Sequence, residues 1–266
     1  MKMQFSTLFD NFLIDLDGVV YLGNSVIKGA EQAIEYLRAR GKGVVFITND
    51  PRSSPREYAE KLQSMGIAAE SRDVITSVMA VVYYLKKNFA PVGKTAFVVG
   101  TASMKEEISK AGLVIKEDES ARGFDFVIVG GHPDFNYREM KIASLAVRRG
   151  AIFIATNRDP AFPTLEGLVP GTGAILASIE TASGKTATSV GKPERIMFEA
   201  ALAKLPPSTR TAVVGDRLDS DILGGKNSGL STILTLSGST KREELEGSDI
   251  QPDYVIESIA DLICQG

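Results

Sequence analysis

The chain has no tryptophan, one cysteine and one histidine in 266 residues. A single thiol, Cys264, has no intramolecular partner, so no disulfide staples the fold. One cysteine with one histidine also excludes a zinc site of the usual Cys and His type. The metal that this composition still allows is a hard cation held by carboxylate oxygens. Lys and Arg number 30 against 33 Asp and Glu, a formal charge of -3. No positive excess therefore exists to gather a nucleic acid polymer or an anionic membrane. No run approaches the roughly eighteen apolar residues of a membrane span, and no apolar signal segment precedes the first short strand. The expected compartment is the cytoplasm. What is present, 44 % apolar and 24 % charged residues, describes a globular protein long enough for one large core or two smaller ones.

Two α/β sets follow one another along the chain. The first opens with a strand at Asn11–Ile14 and a helix from about Gly29 to Arg40, with Ala30, Ala33, Ile34 and Leu37 on one face. A strand at Val44–Ile47 ends in Thr48-Asn49-Asp50, and Pro55 begins a helix that Gly66 stops. The apolar run Val74–Leu85 reads as a further helix. From Lys94 the pattern restarts, with strands at Thr95–Val99 and Phe124–Val129, a helix from Tyr137 to Arg149, and a strand at Ala151–Ala155. That strand closes on Thr156-Asn157, a short echo of Thr48-Asn49. Pro160, Pro163, Gly167, Pro170, Gly171 and Gly173 mark a loop, followed by a helix to about Ala182. The last third supplies a helix at Pro193–Leu205, strands at Thr211–Val214 and Ser231–Leu236, then Tyr254–Ile256 and a closing helix. The expected fold is α/β, with the middle set inserted into the outer one. Pattern alone does not decide whether the first and last segments share a sheet.

Polar clusters follow several of these strands. Asp15 and Asp17, two positions apart, emerge on one side where the first strand ends. Thr48/Asn49, Lys192 and Asp216/Asp221 are the others. Each has an ordinary reading: a solvated turn, a helix cap at Thr48-Asn49, an exposed lysine, a helix-dipole partner at Asp221. Open parallel sheets bind ligands beyond the carboxyl ends of their strands, so in a shared sheet the clusters meet. Carboxylates gathered there repel unless a divalent cation neutralises them, and oxygen ligation favours Mg2+. Lys192 and the Thr48 hydroxyl would add the charge and the donor that phosphoryl oxygens require.

The run Asp15-Leu16-Asp17-Gly18-Val19-Val20, then Ile47-Thr48-Asn49, Gly191-Lys192-Pro193 and Val214-Gly215-Asp216-Arg217-Leu218-Asp219-Ser220-Asp221 resemble the four ordered motifs of the haloacid dehalogenase-like phosphatases. The resemblance covers essentially the whole chain and points to the NagD-type and nitrophenyl phosphatase branch, with a C2-type cap. It implies a Rossmann-like three-layer core with a mostly parallel sheet, formed by residues 1–77 and 187–266, and an inserted α/β cap at 78–186. It also implies a Mg2+-dependent phosphomonoester hydrolase that works through an aspartyl-phosphate on Asp15. Asp17 would be the general acid and base, its backbone carbonyl binding Mg2+. Thr48 and Asn49 would hold phosphoryl oxygens, Lys192 would offset their charge, Asp216 would complete the metal shell with Asp15, and Asp221 would orient Lys192 or a metal-bound water. Substrate contacts are expected from the cap loops at His132, Asp134 and Asn157. The implied partner is a small phosphorylated metabolite, and a cap-mediated homodimer is left open.

Two departures from the family pattern stand out. Asp50 replaces a frequent second asparagine, adding negative charge near an anionic substrate unless it points outward, the reading preferred here. His132 stands where an acidic residue is common; giving it the proton transfer would duplicate Asp17. The Gly171-Thr172-Gly173 turn lacks a preceding strand and a third glycine, so it is not a dinucleotide fingerprint. A phosphometabolite-binding protein without turnover, or a phosphotransferase, would use the same pocket.

Overall fold

The computed structural model describes residues 4–117, 120, 122–164 and 167–263, and Cys264 lies outside them. The chain forms two compact units, one of residues Met1–Thr48, Pro55–Ile75 and Lys192–Gly266, the other of Asn49–Ser54 and Thr76–Gly191.

The first unit is built on a six-stranded sheet. Its order is Tyr254–Ile256, Ser231–Thr235, Thr211–Gly215, Asn11–Asp15, Gly43–Thr48 and Val74–Thr76. The pairings among the first five are parallel, so both ends of the chain do share one sheet. Alternation sorts its two faces. Phe12 pairs with Ala212 and Val44, and Ile14 with Val214 and Phe46. All six join one apolar cluster with Ala33, Ile34 and Leu37 of the helix Ala30–Ala39. Truncating a fully buried ring such as Phe46 to alanine would cost about 3 to 5 kcal/mol. Because both faces are covered, the strands read as continuous apolar runs. Phe12, Leu13 and Ile14 are all fully buried.

The segment expected to begin a helix at Val74 is instead an edge strand, Val74–Thr76, followed by the helix Ser77–Asn88. Its Val-Ile-Thr run is β-branched and favours the pleated surface, while the apolar residues beyond it continue the same hydrophobic signal. Thr76 marks the change, its hydroxyl accepting from the Met79 amide at 3.4 Å. A two-stranded hairpin, Tyr21–Leu22 with Ser25–Val26, also follows the first strand.

The second unit has its own five-stranded parallel sheet, ordered Thr188–Ser189, Ile152–Ala155, Phe126–Val129, Thr95–Val99 and Val114–Ile115. Helices Tyr137–Arg148 and Thr172–Ser183 pack on it through Ile142, Ala146, Leu176 and Ile179. The stretch expected as a loop contains an antiparallel pair, Ala161–Thr164 with Gly167–Pro170, so a strand does precede Gly171-Thr172-Gly173, contrary to expectation, while the third glycine is still missing. A two-stranded ribbon leaves one side of each strand unpaired, so prolines within it forfeit no ladder bond. Asn49–Ser54 belongs to this unit. The Asn49 carbonyl accepts from Ser77 Oγ at 2.6 Å, and the Arg52 carbonyl from Thr101 Oγ1 at 2.9 Å. Among the described residues no helix is long and apolar enough to cross a membrane.

Candidate active site

Asp15 ends the strand at which the order of the first unit's sheet reverses. The chain proceeds to Gly43–Thr48 on one side, while Thr211–Gly215 returns on the other. Such a reversal opens a crevice beyond the carboxyl ends of the strands. Thr48, at 7 % exposure, ends one flanking strand, and Asp216, at 2 %, follows the other.

Lys192 reaches this point from the far side of the sequence. Its Nζ donates to Asp15 Oδ1 at 2.6 Å and to Asp221 Oδ1 at 2.7 Å, and all three side chains are buried. Asp221 sits in the π-type turn Leu218–Ile222, where its Oδ2 accepts from the Arg217 amide at 3.2 Å and the Ser220 hydroxyl at 3.3 Å. Asp216 Oδ2 accepts from the Ser239 amide at 2.5 Å. Asp216 Oδ1 is buried with no hydrogen-bond partner.

Two glycines let the backbone close around Asp216. Gly18 has φ of +86°, a conformation that side chains rarely adopt, and a Cβ there would collide with Asp216 Oδ2. A Cβ on Gly238 would meet the same oxygen. The Gly18 turn is held by its amide donating to the Tyr21 carbonyl at 2.7 Å and by its carbonyl accepting from Ser237 Oγ at 2.8 Å.

One oxygen from each of Asp15, Asp216 and Asp221 lies within 4.8 Å of the others. Three carboxylates against the Lys192 ammonium leave an excess of two negative charges. Burial pushes the Asp15 carboxyl well above its ordinary range; Lys192 opposes the shift, while Asp221 and Asp216 add to it. Burial, with repulsion from Asp221, lifts Asp216 to about 6. For Lys192 burial acts to lower, but Asp15 and Asp221 outweigh it and hold the ammonium above its usual value. Oxygen-only donors, a divalent charge deficit and an orphaned Asp216 Oδ1 fit a hard cation such as Mg2+.

The family model for haloacid dehalogenase-like hydrolases matches residues 12–114, and a HAD-hydrolase-like model matches residues 189–262. An acid sugar phosphatase of Staphylococcus aureus is 36 % identical over 255 residues, 96 % of each chain. This chain belongs to the haloacid dehalogenase-like hydrolases. Among this family's solved structures, a 4-nitrophenylphosphatase from Thermotoga maritima is 32 % identical with a TM-score of 0.90, covering 98 % of both chains. A glycerol phosphate phosphatase from Mycobacterium tuberculosis, in complex with magnesium, is 31 % identical with a TM-score of 0.90, covering 98 % of this chain and 78 % of the other.

Within this haloacid dehalogenase-like hydrolase, the residues singled out from the sequence separate into groups. Asp15, Lys192, Asp216 and Asp221 are gathered, and Thr48 ends the strand adjoining that of Asp15. The Asp17 side chain is exposed. Asn49 is occupied elsewhere: its Nδ2 donates to Asp159 Oδ2 at 2.9 Å. Asn157, expected to meet substrate, has its amide bonded to the backbone. Its Nδ2 donates to the Asn49 carbonyl at 2.7 Å, and its Oδ1 accepts from the Asp159 amide at 3.0 Å. His132 is turned toward its own unit, 3.2 Å from Glu139 Oε2 but outside hydrogen-bond geometry, and edge-on to Phe135. Asp134 is exposed. Asp50 is bound bidentately by Arg52, at 2.8 and 2.7 Å, which neutralises its charge.

Sequence reasoning passed over Ser237, Gly238 and Ser239, which hold Asp216 and the Gly18 turn. Their only signal was a run of small residues just beyond the apolar strand Ser231–Thr235.

Proposed function

We propose that this chain is a Mg2+-dependent phosphomonoesterase of small phosphorylated metabolites, acting through Asp15. The observation that carries the reading is the buried Lys192 ammonium bridging Asp15 and Asp221 beside Asp216. A carboxylate so placed is oriented to attack, and the ammonium lies where the oxygens of a transferring phosphoryl group would need charge compensation.

In the proposed reaction an Asp15 oxygen forms a bond to phosphorus as the bond to the ester oxygen breaks. The departing oxygen takes a proton from Asp17, leaving an alcohol and an aspartyl-phosphate. Asp17 then accepts a proton from a water whose oxygen attacks phosphorus, breaking the bond to Asp15 and releasing phosphate. Lys192 compensates the charge on phosphoryl oxygens through both steps, and the Thr48 hydroxyl donates to one of them. Asp15 and Asp216, with the Asp17 carbonyl, would hold the Mg2+, which supplies Lewis-acid charge neutralisation when bound. Asp221 keeps Lys192 aimed. The second unit, Asn49–Ser54 with Thr76–Gly191, is proposed as the cap, supported by its own sheet and buried core. The substrate class is supported by the names of relatives that act on sugar phosphate and glycerol phosphate.

The test is phosphate release from p-nitrophenyl phosphate with Mg2+ and with EDTA, in the native protein and in Asp15→Asn. Activity should require Mg2+ and fall by a factor of about 10³ or more in the variant. Full activity in Asp15→Asn, or in EDTA, overturns the proposal. Tight binding across a metabolite panel without release would mark a binding protein, and product transfer to an added alcohol a phosphotransferase.

A further inference from the structure

At the opposite, amino end of the first unit's sheet lies a cavity of about 530 Å3. Val44 and Val45, at the start of the strand whose far end carries Thr48, form part of its wall. Four residues of strand, about 13 Å, separate Val44 from Thr48, so this cavity is distinct from the carboxylate cluster.

The charged side chains around it are Arg38, Lys42, Arg72, Lys204, Glu70 and Asp73, an excess of two positive charges. That excess can be traced to particular groups. Arg38 is spent on Asp73 at 3.0 Å and on the Ala68 carbonyl, and Arg72 on Glu70 at 3.1 Å. Lys42 has only a 3.3 Å contact to Asp10. Asp10 is already claimed by Arg210 at 2.6 and 2.9 Å and by Ser208 at 3.0 Å, and Arg210 foremost holds its carboxyl at about 2. Lys42 is thus left with little of that acid's charge. Lys204 is exposed, and its ammonium has no ion pair among the described residues.

We propose that this cavity binds a small organic phosphate, with Lys42 and Lys204 as the cations that meet the phosphate group. Lys204, without an ion pair among the described residues, and Lys42, which shares Asp10 with Arg210, leave two positive charges that match a dianion, and lysine serves phosphate as a mobile point charge. A volume of about 530 Å3 lies within the range for a bound organic molecule, whereas bare phosphate would leave most of it unfilled.

Isothermal titration in EDTA keeps metal from the three buried carboxylates at the other end of the sheet, and the lysine variants assign the binding to this cavity. The probe is adenosine 5'-monophosphate, with adenosine and inorganic phosphate as comparison arms at constant ionic strength. The nucleotide should bind, adenosine should not, and phosphate should bind more weakly. Lys42→Ser with Lys204→Ser should weaken nucleotide binding roughly tenfold or more, the loss of one or two charge-assisted contacts. If circular dichroism shows that the double variant does not fold, the exposed Lys204→Glu alone should weaken binding at least about fivefold. No nucleotide binding up to about 10 mM, phosphate binding as tight as the nucleotide, or affinity unchanged in the folded variant overturns the proposal. The result does not depend on whether the protein hydrolyses phosphate esters.

Discussion

Lys192 Nζ stands 2.7 Å from Asp221 Oδ1, and Asp221 is completely buried. The lysine therefore has a second acid behind Asp15 that fixes its direction. Asp221→Asn keeps the shape but replaces one acceptor oxygen by a donor, which cannot satisfy both Lys192 and the Arg217 amide. Turnover should fall roughly 10- to 100-fold with KM little changed, as for outer residues that orient a reacting group. Steady-state kinetics on p-nitrophenyl phosphate check it; a change in KM alone would contradict the positioning role.

Gly18→Ala places a methyl group against Asp216 Oδ2 at a backbone conformation of φ +86°. Asp216 must then move or the turn must open. The expected outcome is at least about a tenfold rise in the Mg2+ concentration for half-maximal activity, about 1.4 kcal/mol. A Mg2+ titration measures it. The same substitution at Gly23, which has no heavy atom within 4 Å of its Cβ position, serves as the control for positive φ alone.

The metal-free protein should lose stability as pH rises through about 6. Asp216 is held at about 6 in the fold against 3.8 ordinarily, so its contribution is fully present below about 3.8 and disappears as pH passes the higher value. Linkage puts the loss at about 3 kcal/mol, with Asp15 acting in the same direction. Saturating Mg2+ favours the ionised carboxylates and should flatten the decline. Denaturant unfolding from pH 4 to about 7.5, in EDTA and in Mg2+, gives the two curves; parallel curves would refute the account.

Arg52→Ala should expose the charge of Asp50, two residues beyond Thr48 in sequence. KM for an anionic substrate is expected to rise a few-fold, and Asp50→Asn in the same chain should reverse it. The pair is partly exposed, 38 % and 26 %, so stability should change by less than about 1 kcal/mol. Arg52 also lies 4.0 Å from the Phe162 ring centroid, and Arg52→Lys tests whether charge or that stacking matters.

The Thr48-Asn49 and Thr156-Asn157 echo shows how far the chain could be read in advance. Both pairs stand at the end of parallel strands, as the apolar runs before them required. That the Asn157 amide donates to the Asn49 carbonyl, 108 positions away, has no local signature. The sequence does not distinguish an amide that has a protein partner, as those of Asn157 and Asn49 do, from one awaiting a ligand. The strand Val74–Thr76 was hidden for a related reason: edge pairing depends on a neighbouring strand, which periodicity does not contain.

Local chemistry in the sequence determined the alternation of strands and helices, the apolar faces that bury them, and the acidic, hydroxyl and basic side chains at strand ends. Those properties depend on residues a few positions apart. Only the tertiary structure decided that Lys192 meets both Asp15 and Asp221, and that Ser239 holds Asp216. It alone exposed Asp17 and placed Lys42 and Lys204 around one cavity. Each of these depends on which distant strands become neighbours, and neighbours in a parallel sheet are chosen by packing across the whole unit.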